Sequence, residues 1–192
     1  MIHIIYLAAG NARRFGSNKL LALLAGKPVF LYGLERMVTL TQKRKDCDLT
    51  VVTRTPEISK AAVRWNVPVV ESASSEKGIS FSIQAGIEAV EPLNPADYLV
   101  FVLADQPWLS CESVNKLLDA AQTNCMAATA AFSDIDGSPT LFSAAWIPEL
   151  KKLEGDQGGR RILKRYPDQV LRVQVKDARE LLDIDQPEHL SR

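Results

Sequence analysis

Two continuous apolar runs constrain the fold of this chain more than any other feature of its sequence. Residues 1–9 read M-I-H-I-I-Y-L-A-A and residues 98–104 read Y-L-V-F-V-L-A. Runs rich in β-branched and aromatic side chains, with no regular polar alternation, are typical of strands that are covered on both faces. Such strands occur in parallel sheets, where each connection has to cross from one end of the sheet to the other. Helices are therefore expected between the strands.

Strand and helix patterns alternate along the rest of the chain. We predict further strands at residues 48–53, 67–71, 126–132, 139–142, 170–175 and 181–184. We predict helices at residues 28–40, 56–65, 79–90, 113–121, 144–153 and 157–165, and a terminal helix that begins at Pro187. This order favours an α/β domain of three layers with a mostly parallel sheet. At 192 residues, with no repeat or long linker, the chain is expected to form one domain over residues 1–192.

Charge and cysteine content exclude several classes of protein. Lys and Arg number 23 and Asp and Glu number 23, so the net charge is zero, which argues against a dedicated nucleic-acid-binding protein. No apolar stretch approaches the roughly 18 residues that span a membrane, and residues 1–9 do not resemble a signal peptide. Cys47, Cys111 and Cys125 show no metal-site or disulfide spacing, which is typical of a reduced compartment. We therefore expect a cytoplasmic protein without a membrane partner.

The loop after the first strand combines glycines with cations. Residues 7–19 read L-A-A-G-N-A-R-R-F-G-S-N-K, which matches neither the P-loop nor the dinucleotide-binding pattern. In open α/β sheets ligands bind at the carboxyl ends of the strands, where this loop begins. Gly10 permits close approach of the backbone, Arg14 offers a bidentate fork to phosphate, and Lys19 offers a point charge. The loop alone fits either a phosphate-binding segment or a solvated basic loop.

Five more short motifs follow that loop along the chain. They read E-K-G-I-S-F-S with A-G at residues 76–86, L-A-D-Q-P at 103–107, G-S-P-T-L-F at 137–142, G-D-Q-G at 155–158 and L-D-I-D-Q-P-E at 182–188. Together, the six segments resemble the MobA/MocA-like nucleotidyltransferase family, and most closely its molybdenum cofactor cytidylyltransferases of the MocA type. The resemblance covers nearly the whole chain. It implies a Rossmann-like, GT-A-like nucleotidyltransferase fold that binds an NTP together with Mg²⁺ or Mn²⁺.

The resemblance also assigns roles to individual positions. The nucleotide-binding set that it implies is Leu7, Ala8, Ala9, Gly10, Arg14, Lys19, Gly78, Ser80, Ser82 and Asp105. Within that set it implies catalytic roles for Arg14, Lys19 and Asp105, while Arg13 lies beside the matched arginine. Ser80 and Ser82 also fit the start of a helix, where serine is common, so their sequence position leaves both interpretations open.

Carboxylates follow the predicted strands at two places. Asp105 directly follows the most apolar strand, where a charge is costly unless it faces a ligand or ion, and the family has its metal-binding Asp at this position. Asp183 and Asp185 are spaced so that either one can supply a second metal ligand from the same face of an extended segment. The resemblance favours Asp185, so we expect Asp105 and Asp185 to hold the metal.

The family's reaction suggests a substrate and an acceptor. The L-A-A-G start and the L-D-I-D segment are more similar to the branch that transfers CMP from CTP to the phosphate of molybdopterin than to the branch that transfers GMP. Ser138 stands where the family usually has His, which leaves open a different phosphorylated acceptor. Asp156 fits either a helix cap or an acceptor contact. The alternative from another class is a maturation factor that binds the cofactor and delivers it to a molybdenum hydroxylase.

Overall fold

The computed structural model describes residues 1–10 and 18–191. Its strands are β1 (Ile2–Leu7), β2 (Leu23–Leu24), β3 (Lys27–Pro28), β4 (Cys47–Thr53), β5 (Val69–Glu71), β6 (Tyr98–Leu103), β7 (Ala127–Phe132), β8 (Ile135–Ser143) and β9 (Val170–Gln174). Its α-helices are α1 (Val29–Lys43), α2 (Pro56–Arg64), α3 (Ile79–Val90), α4 (Cys111–Asp119), α5 (Ile147–Leu150) and α6 (Arg160–Arg165). Within these residues no helix is both long and apolar enough to span a bilayer.

The described part of the chain forms one seven-stranded sheet and one small hairpin. The sheet order is β5-β4-β1-β6-β8-β7-β9, and β2 pairs with β3. Strand β8 is antiparallel to β6 and to β7, while the other neighbours in the sheet are parallel. The predicted α/β class with a mostly parallel sheet is therefore confirmed. The two apolar runs lie side by side at its centre, with Ile2 opposite Tyr98 and Leu7 opposite Leu103.

Apolar side chains cover both faces of the sheet. On one face Ile4 and Tyr6 of β1 pack with Leu34 of α1 and Leu117 of α4 in one core cluster. On the other face Ile5 packs with residues of α3, α5 and α6 in a second cluster. Strands β1 and β6 are buried from both sides, which accounts for their uninterrupted apolar sequence.

Several predicted elements differ from the structure. Residues 181–184 are not a strand, because Leu181 ends a 3₁₀ helix and the backbone beyond it joins the sheet through one hydrogen bond, from Ile184 N–H to the Asp105 carbonyl. The predicted helix at 144–153 is divided into a 3₁₀ turn and α5, where a proline occupies the first turn. The terminal segment Pro187–Ser191 is a 3₁₀ helix. Strand β8 is longer than predicted.

Candidate active site

Three parallel strands end together at one edge of the sheet. Strands β4, β1 and β6 are neighbours, and their backbone bonds continue one residue past β1 and β6, with Ala8 N–H donating to the Val52 carbonyl and Ala104 N–H to the Leu7 carbonyl. The Thr53 hydroxyl donates to the Ala8 carbonyl at 2.9 Å. These bonds fix the backbone from which the predicted ligand-binding loops start.

A lysine and two aspartates meet at this edge. Lys19 Nζ lies 2.6 Å from Asp105 Oδ2 and 2.9 Å from Asp185 Oδ1. Asp105 lies two residues after the end of β6, and the bond from Ile184 N–H to the Asp105 carbonyl brings Asp185 beside it. Burial is the largest single influence on the pKa of Lys19 and lowers it, but the Asp105 and Asp185 carboxylates together outweigh burial, so the pKa is raised and the ammonium stays charged. Three predicted site residues thus form one charged cluster.

Asp183 is a buried neighbour of this cluster, and the pKa of its carboxyl is strongly shifted. Its Oδ1 is buried and has no hydrogen-bond partner among the described residues. Burial, and then repulsion from Asp105 and Asp185, raises its pKa to about 6, although Gln106 and Lys19 oppose the shift. Asp185, by contrast, is 58% exposed and bonded to Lys19. The two aspartates that the sequence left as alternatives therefore occupy different environments.

The carboxylates fit a divalent cation in their chemistry. Asp105 and Asp185 offer hard oxygen donors that already converge on one cationic group, the Lys19 ammonium. The described residues contain no group of three His, Cys, Asp or Glu side chains that could hold a metal. Mg²⁺ typically takes one or two protein carboxylates and completes its shell with phosphate oxygens and water. The donor set therefore suits a cation that arrives with a phosphorylated substrate.

The remaining positions of the first loop are only partly described. Leu7, Ala8 and Ala9 are buried at the end of β1, and Gly10 is exposed, with no atom of the described residues within 4 Å of where a Cβ would stand. Arg13 and Arg14 lie outside the described residues, so their predicted phosphate contacts stay predictions. Lys19 follows at the far end of the loop and lies at the carboxylate cluster.

A second segment of the site packs backbone against backbone. Gly78 has φ +136°, and a Cβ there would lie 2.1 Å from the carbonyl group of Gly155. Ser80 N–H donates to the Gly155 carbonyl at 3.1 Å. The predicted motifs around Gly78 and around Asp156 therefore touch, although they are far apart in sequence.

The serines behind Gly78 are buried. The Ser82 hydroxyl contacts the Ser72 hydroxyl at 3.5 Å, whereas the hydroxyls of Ser75 and Ser80 have no partner among the described residues. Buried hydroxyls usually have partners, so unsatisfied ones at a predicted ligand site are notable. Ser75 was missed by the sequence analysis, because nothing in its local pattern separates it from other serines. A nucleotide contact by Ser80 or Ser82 stays a prediction.

Other residues hold the loop that carries Asp105. The Arg36 guanidinium, on α1, donates to the Pro107 carbonyl and, at 2.8 Å, to the Leu109 carbonyl. Ser138 lies on β8 at the same end of the sheet, beside Gly137, whose carbonyl accepts a bond from the Thr129 hydroxyl at 2.9 Å. Arg36 was also missed, since its partners are more than 70 residues away in sequence.

Replacing Gly78 with alanine is expected to destabilise the chain and displace the segment. A Cβ would overlap the Gly155 backbone, and a non-glycine residue at positive φ is itself strained, so a loss of at least about 2 kcal/mol in the free energy of unfolding is expected. Urea denaturation measures it. Gly158→Ala is the control, because its Cβ would make only an ordinary contact with Ile79 at 3.8 Å. Equal stability of the two variants would contradict the close approach of the Gly78 backbone to the Gly155 backbone.

Sequence comparison identifies known relatives of this chain. A sequence model of the MobA-like NTP transferase domain matches residues 4–170. The purine catabolism protein PucB of Bacillus subtilis is 35% identical over 196 residues, which covers 96% of this chain and 91% of PucB.

Solved structures show the same fold at lower identity. Molybdopterin-guanine dinucleotide biosynthesis protein A from Archaeoglobus fulgidus superposes with a TM-score of 0.71 at 19% identity, covering 98% of this chain and 95% of that one. The manganese complex of Rv0371C from Mycobacterium tuberculosis gives a TM-score of 0.72 at 21% identity, covering 92% of this chain and 89% of that one. Both are similar in fold.

Proposed function

Because the chain belongs to the MobA-like NTP transferase domain family, we propose that it transfers CMP from CTP to the phosphate of molybdopterin and releases pyrophosphate. The observation that carries this proposal is the cluster in which Lys19 bridges Asp105 and Asp185 at the carboxyl ends of the strands. A cation and two carboxylates at this edge suit a triphosphate and its metal. The family membership makes the chain a nucleotidyltransferase, and the base and the acceptor are the proposed part.

The proposed reaction is one in-line displacement at phosphorus. An oxygen of the acceptor phosphate forms a bond to the α-phosphorus of CTP, the bond from that phosphorus to the bridging oxygen of the β-phosphate breaks, and pyrophosphate leaves. The attacking phosphate is already anionic, so the site needs no strong general base. Catalysis then rests on positioning and on neutralising negative charge.

The chain's own residues divide these tasks. The backbone at residues 7–10 and 78, with Ser80 and Ser82, holds the base and ribose in this proposal. Arg14 and Lys19 bind the phosphates that leave, because guanidinium and ammonium groups are the natural partners of phosphate oxygens. Asp105 and Asp185 would hold Mg²⁺ or Mn²⁺, and a bound divalent cation would neutralise the charge on the triphosphate oxygens.

On the acceptor side, Ser138 and Asp156 make no contact with the described residues that identifies a substrate. Molybdopterin is favoured by the resemblance of the six motifs, and the structural neighbour from Archaeoglobus fulgidus is a molybdopterin-guanine dinucleotide biosynthesis protein. A molybdenum hydroxylase is the proposed recipient of the product. Measuring pyrophosphate release distinguishes such a transferase from a cofactor carrier that has no turnover.

Two measurements test the proposal. With Mg²⁺ and molybdopterin present, CTP is expected to give pyrophosphate faster than GTP or ATP. CTP at 100 times its Kd should stabilise the fold by about 2.7 kcal/mol, which corresponds to a rise in Tm of roughly 5–10 °C. Equal rises in Tm with CTP, GTP and ATP at that same concentration would overturn the choice of CTP. Molybdopterin binding without pyrophosphate release from any nucleotide would identify a carrier instead.

A further inference from the structure

The segment that carries Asp185 is held in place by few backbone bonds. It is not a strand, and among the described residues its one bond to the sheet edge runs from Ile184 N–H to the Asp105 carbonyl at 2.9 Å. Asp185 N–H donates to Nδ1 of His189 at 3.2 Å. The Asp185 carboxylate itself is 58% exposed and bonds Lys19. The position of this carboxylate therefore depends on the side chains that hold the segment.

Gln106 connects this segment to the loop after β6. It follows Asp105 directly, and only 2% of its surface is exposed. Its Nε2 donates to the Leu181 carbonyl at 3.4 Å, a long bond between residues that are 75 positions apart in sequence. The same side chain also hydrogen-bonds the Asp183 carboxyl, and this contact opposes the rise in the pKa of that carboxyl. One amide thus reaches both the backbone and a side chain of the segment.

The stability of the fold does not account for an amide at position 106. The Oε1 atom of Gln106 is buried and has no hydrogen-bond partner among the described residues. A buried polar atom without a partner costs free energy, and an apolar side chain of the same length would avoid that cost. Gln84 shows the ordinary arrangement, because its Nε2 donates to the Lys151 and Leu153 carbonyls at 3.1 and 2.9 Å. The amide of Gln106 is therefore expected to serve the site.

We propose that Gln106 is a positioning residue for the metal-binding carboxylate of Asp185, an inference that rests on the proposed function. By bonding Leu181 and Asp183, its amide fixes the segment on which Asp185 lies. The carboxylate of Asp185 is thereby kept beside Lys19, where a divalent cation would bind. Residues that orient metal ligands through hydrogen bonds act without touching the metal, and their loss typically weakens metal affinity by roughly 10–100-fold.

Direct Mn²⁺ binding, measured by electron paramagnetic resonance with CTP present and no acceptor, tests this role without turnover. Gln106→Met keeps the length of the side chain but removes the amide, and it is expected to weaken Mn²⁺ binding by about 10-fold. Its midpoint in urea should stay close to that of the wild type, because an unpartnered buried oxygen is removed together with a long bond. Equal Mn²⁺ affinities of Gln106→Met and the wild type overturn the positioning role.

Gln84→Met is the matched control for loss of a buried amide. It removes two shorter bonds to backbone carbonyls, so it is expected to lower the midpoint in urea and to leave Mn²⁺ affinity unchanged. An equal loss of Mn²⁺ affinity in Gln84→Met and Gln106→Met would indicate a general loosening of the fold and would overturn the proposal.

A double substitution shows whether Gln106 acts through the segment. In an Asp183→Ala background one of its contacts is already lost, so Gln106→Met is expected to weaken Mn²⁺ binding by less than about threefold. The same 10-fold loss in both backgrounds would show that Gln106 acts independently of Asp183, which contradicts the proposal.

The positioning role and the proposed function fail in different ways. Mn²⁺ affinity that depends on Gln106, without pyrophosphate release from any nucleotide, supports the positioning role and contradicts the proposed function. Pyrophosphate release from CTP at the wild-type rate and with the wild-type Mn²⁺ requirement in Gln106→Met supports the proposed function and overturns the positioning role. Wild-type protein that binds no Mn²⁺ in the presence of CTP overturns both.

Discussion

Replacing Asp105 with asparagine is expected to slow pyrophosphate release by at least about 100-fold while the chain stays folded. The carboxylate lies 2.6 Å from Lys19 Nζ and is 18% exposed, so it faces the site and contributes little to the apolar core. Asparagine has nearly the same shape but no charge, so it loses both the attraction to Lys19 and the anionic metal ligand. Pyrophosphate release at saturating Mg²⁺ and CTP measures the effect.

Two further results make this prediction specific. Asp134→Asn removes a fully exposed carboxylate that pairs with Arg172 and not with Lys19, and it should leave the rate unchanged, which controls for net charge. The free energy of unfolding of Asp105→Asn should stay close to that of the wild type, because repulsion between Asp105 and Asp183 is removed together with the ion pair. Turnover of Asp105→Asn near the wild-type rate would show that Asp105 is not part of the active site.

The sequence predicted the strands of the sheet correctly where the strand is buried on both faces. The apolar runs at residues 1–9 and 98–104 predicted strands covered on both faces, and they are the adjacent central strands β1 and β6. The short segment at 181–184 carried a similar pattern but is not a strand. Only Ile184 of this segment packs in a small buried cluster, with Leu24 and Val29, while Leu182 is exposed, so the burial of Ile184 comes from side-chain contacts and not from strand pairing. Periodicity alone cannot separate these two causes.

The candidate site was predictable in its residue types but not in its contacts. Carboxylates directly after strands, and a lysine in a glycine-containing loop, indicated a phosphate and metal site. That Lys19 bonds Asp185 depends on a separation of 166 residues, which no local pattern encodes. The same holds for the packing of Gly78 on Gly155 and for the bonds of Arg36 to the loop after Asp105. Tertiary structure decides these contacts.

Replacing Asp183 with asparagine is expected to stabilise the metal-free chain above pH 7. The ordinary pKa of this carboxyl is 3.8, and burial raises it to about 6 in the folded chain. Between these values the folded state binds more protons than the unfolded state, so stability falls as pH rises from about 4 to about 6. Above that window the buried carboxylate costs up to about 3 kcal/mol, a cost that asparagine does not carry.

Urea denaturation in the presence of EDTA measures this gain as a function of pH. The difference between Asp183→Asn and the wild type should be small near pH 4, grow towards pH 6, and reach a plateau above about pH 7. Asp134→Asn is again the control, because its side chain is fully exposed and should show no such profile. A gain that is the same at pH 5 and pH 8 would indicate better packing instead of a buried charge. No gain at pH 8 would show that Lys19 and Gln106 already compensate the carboxylate in full.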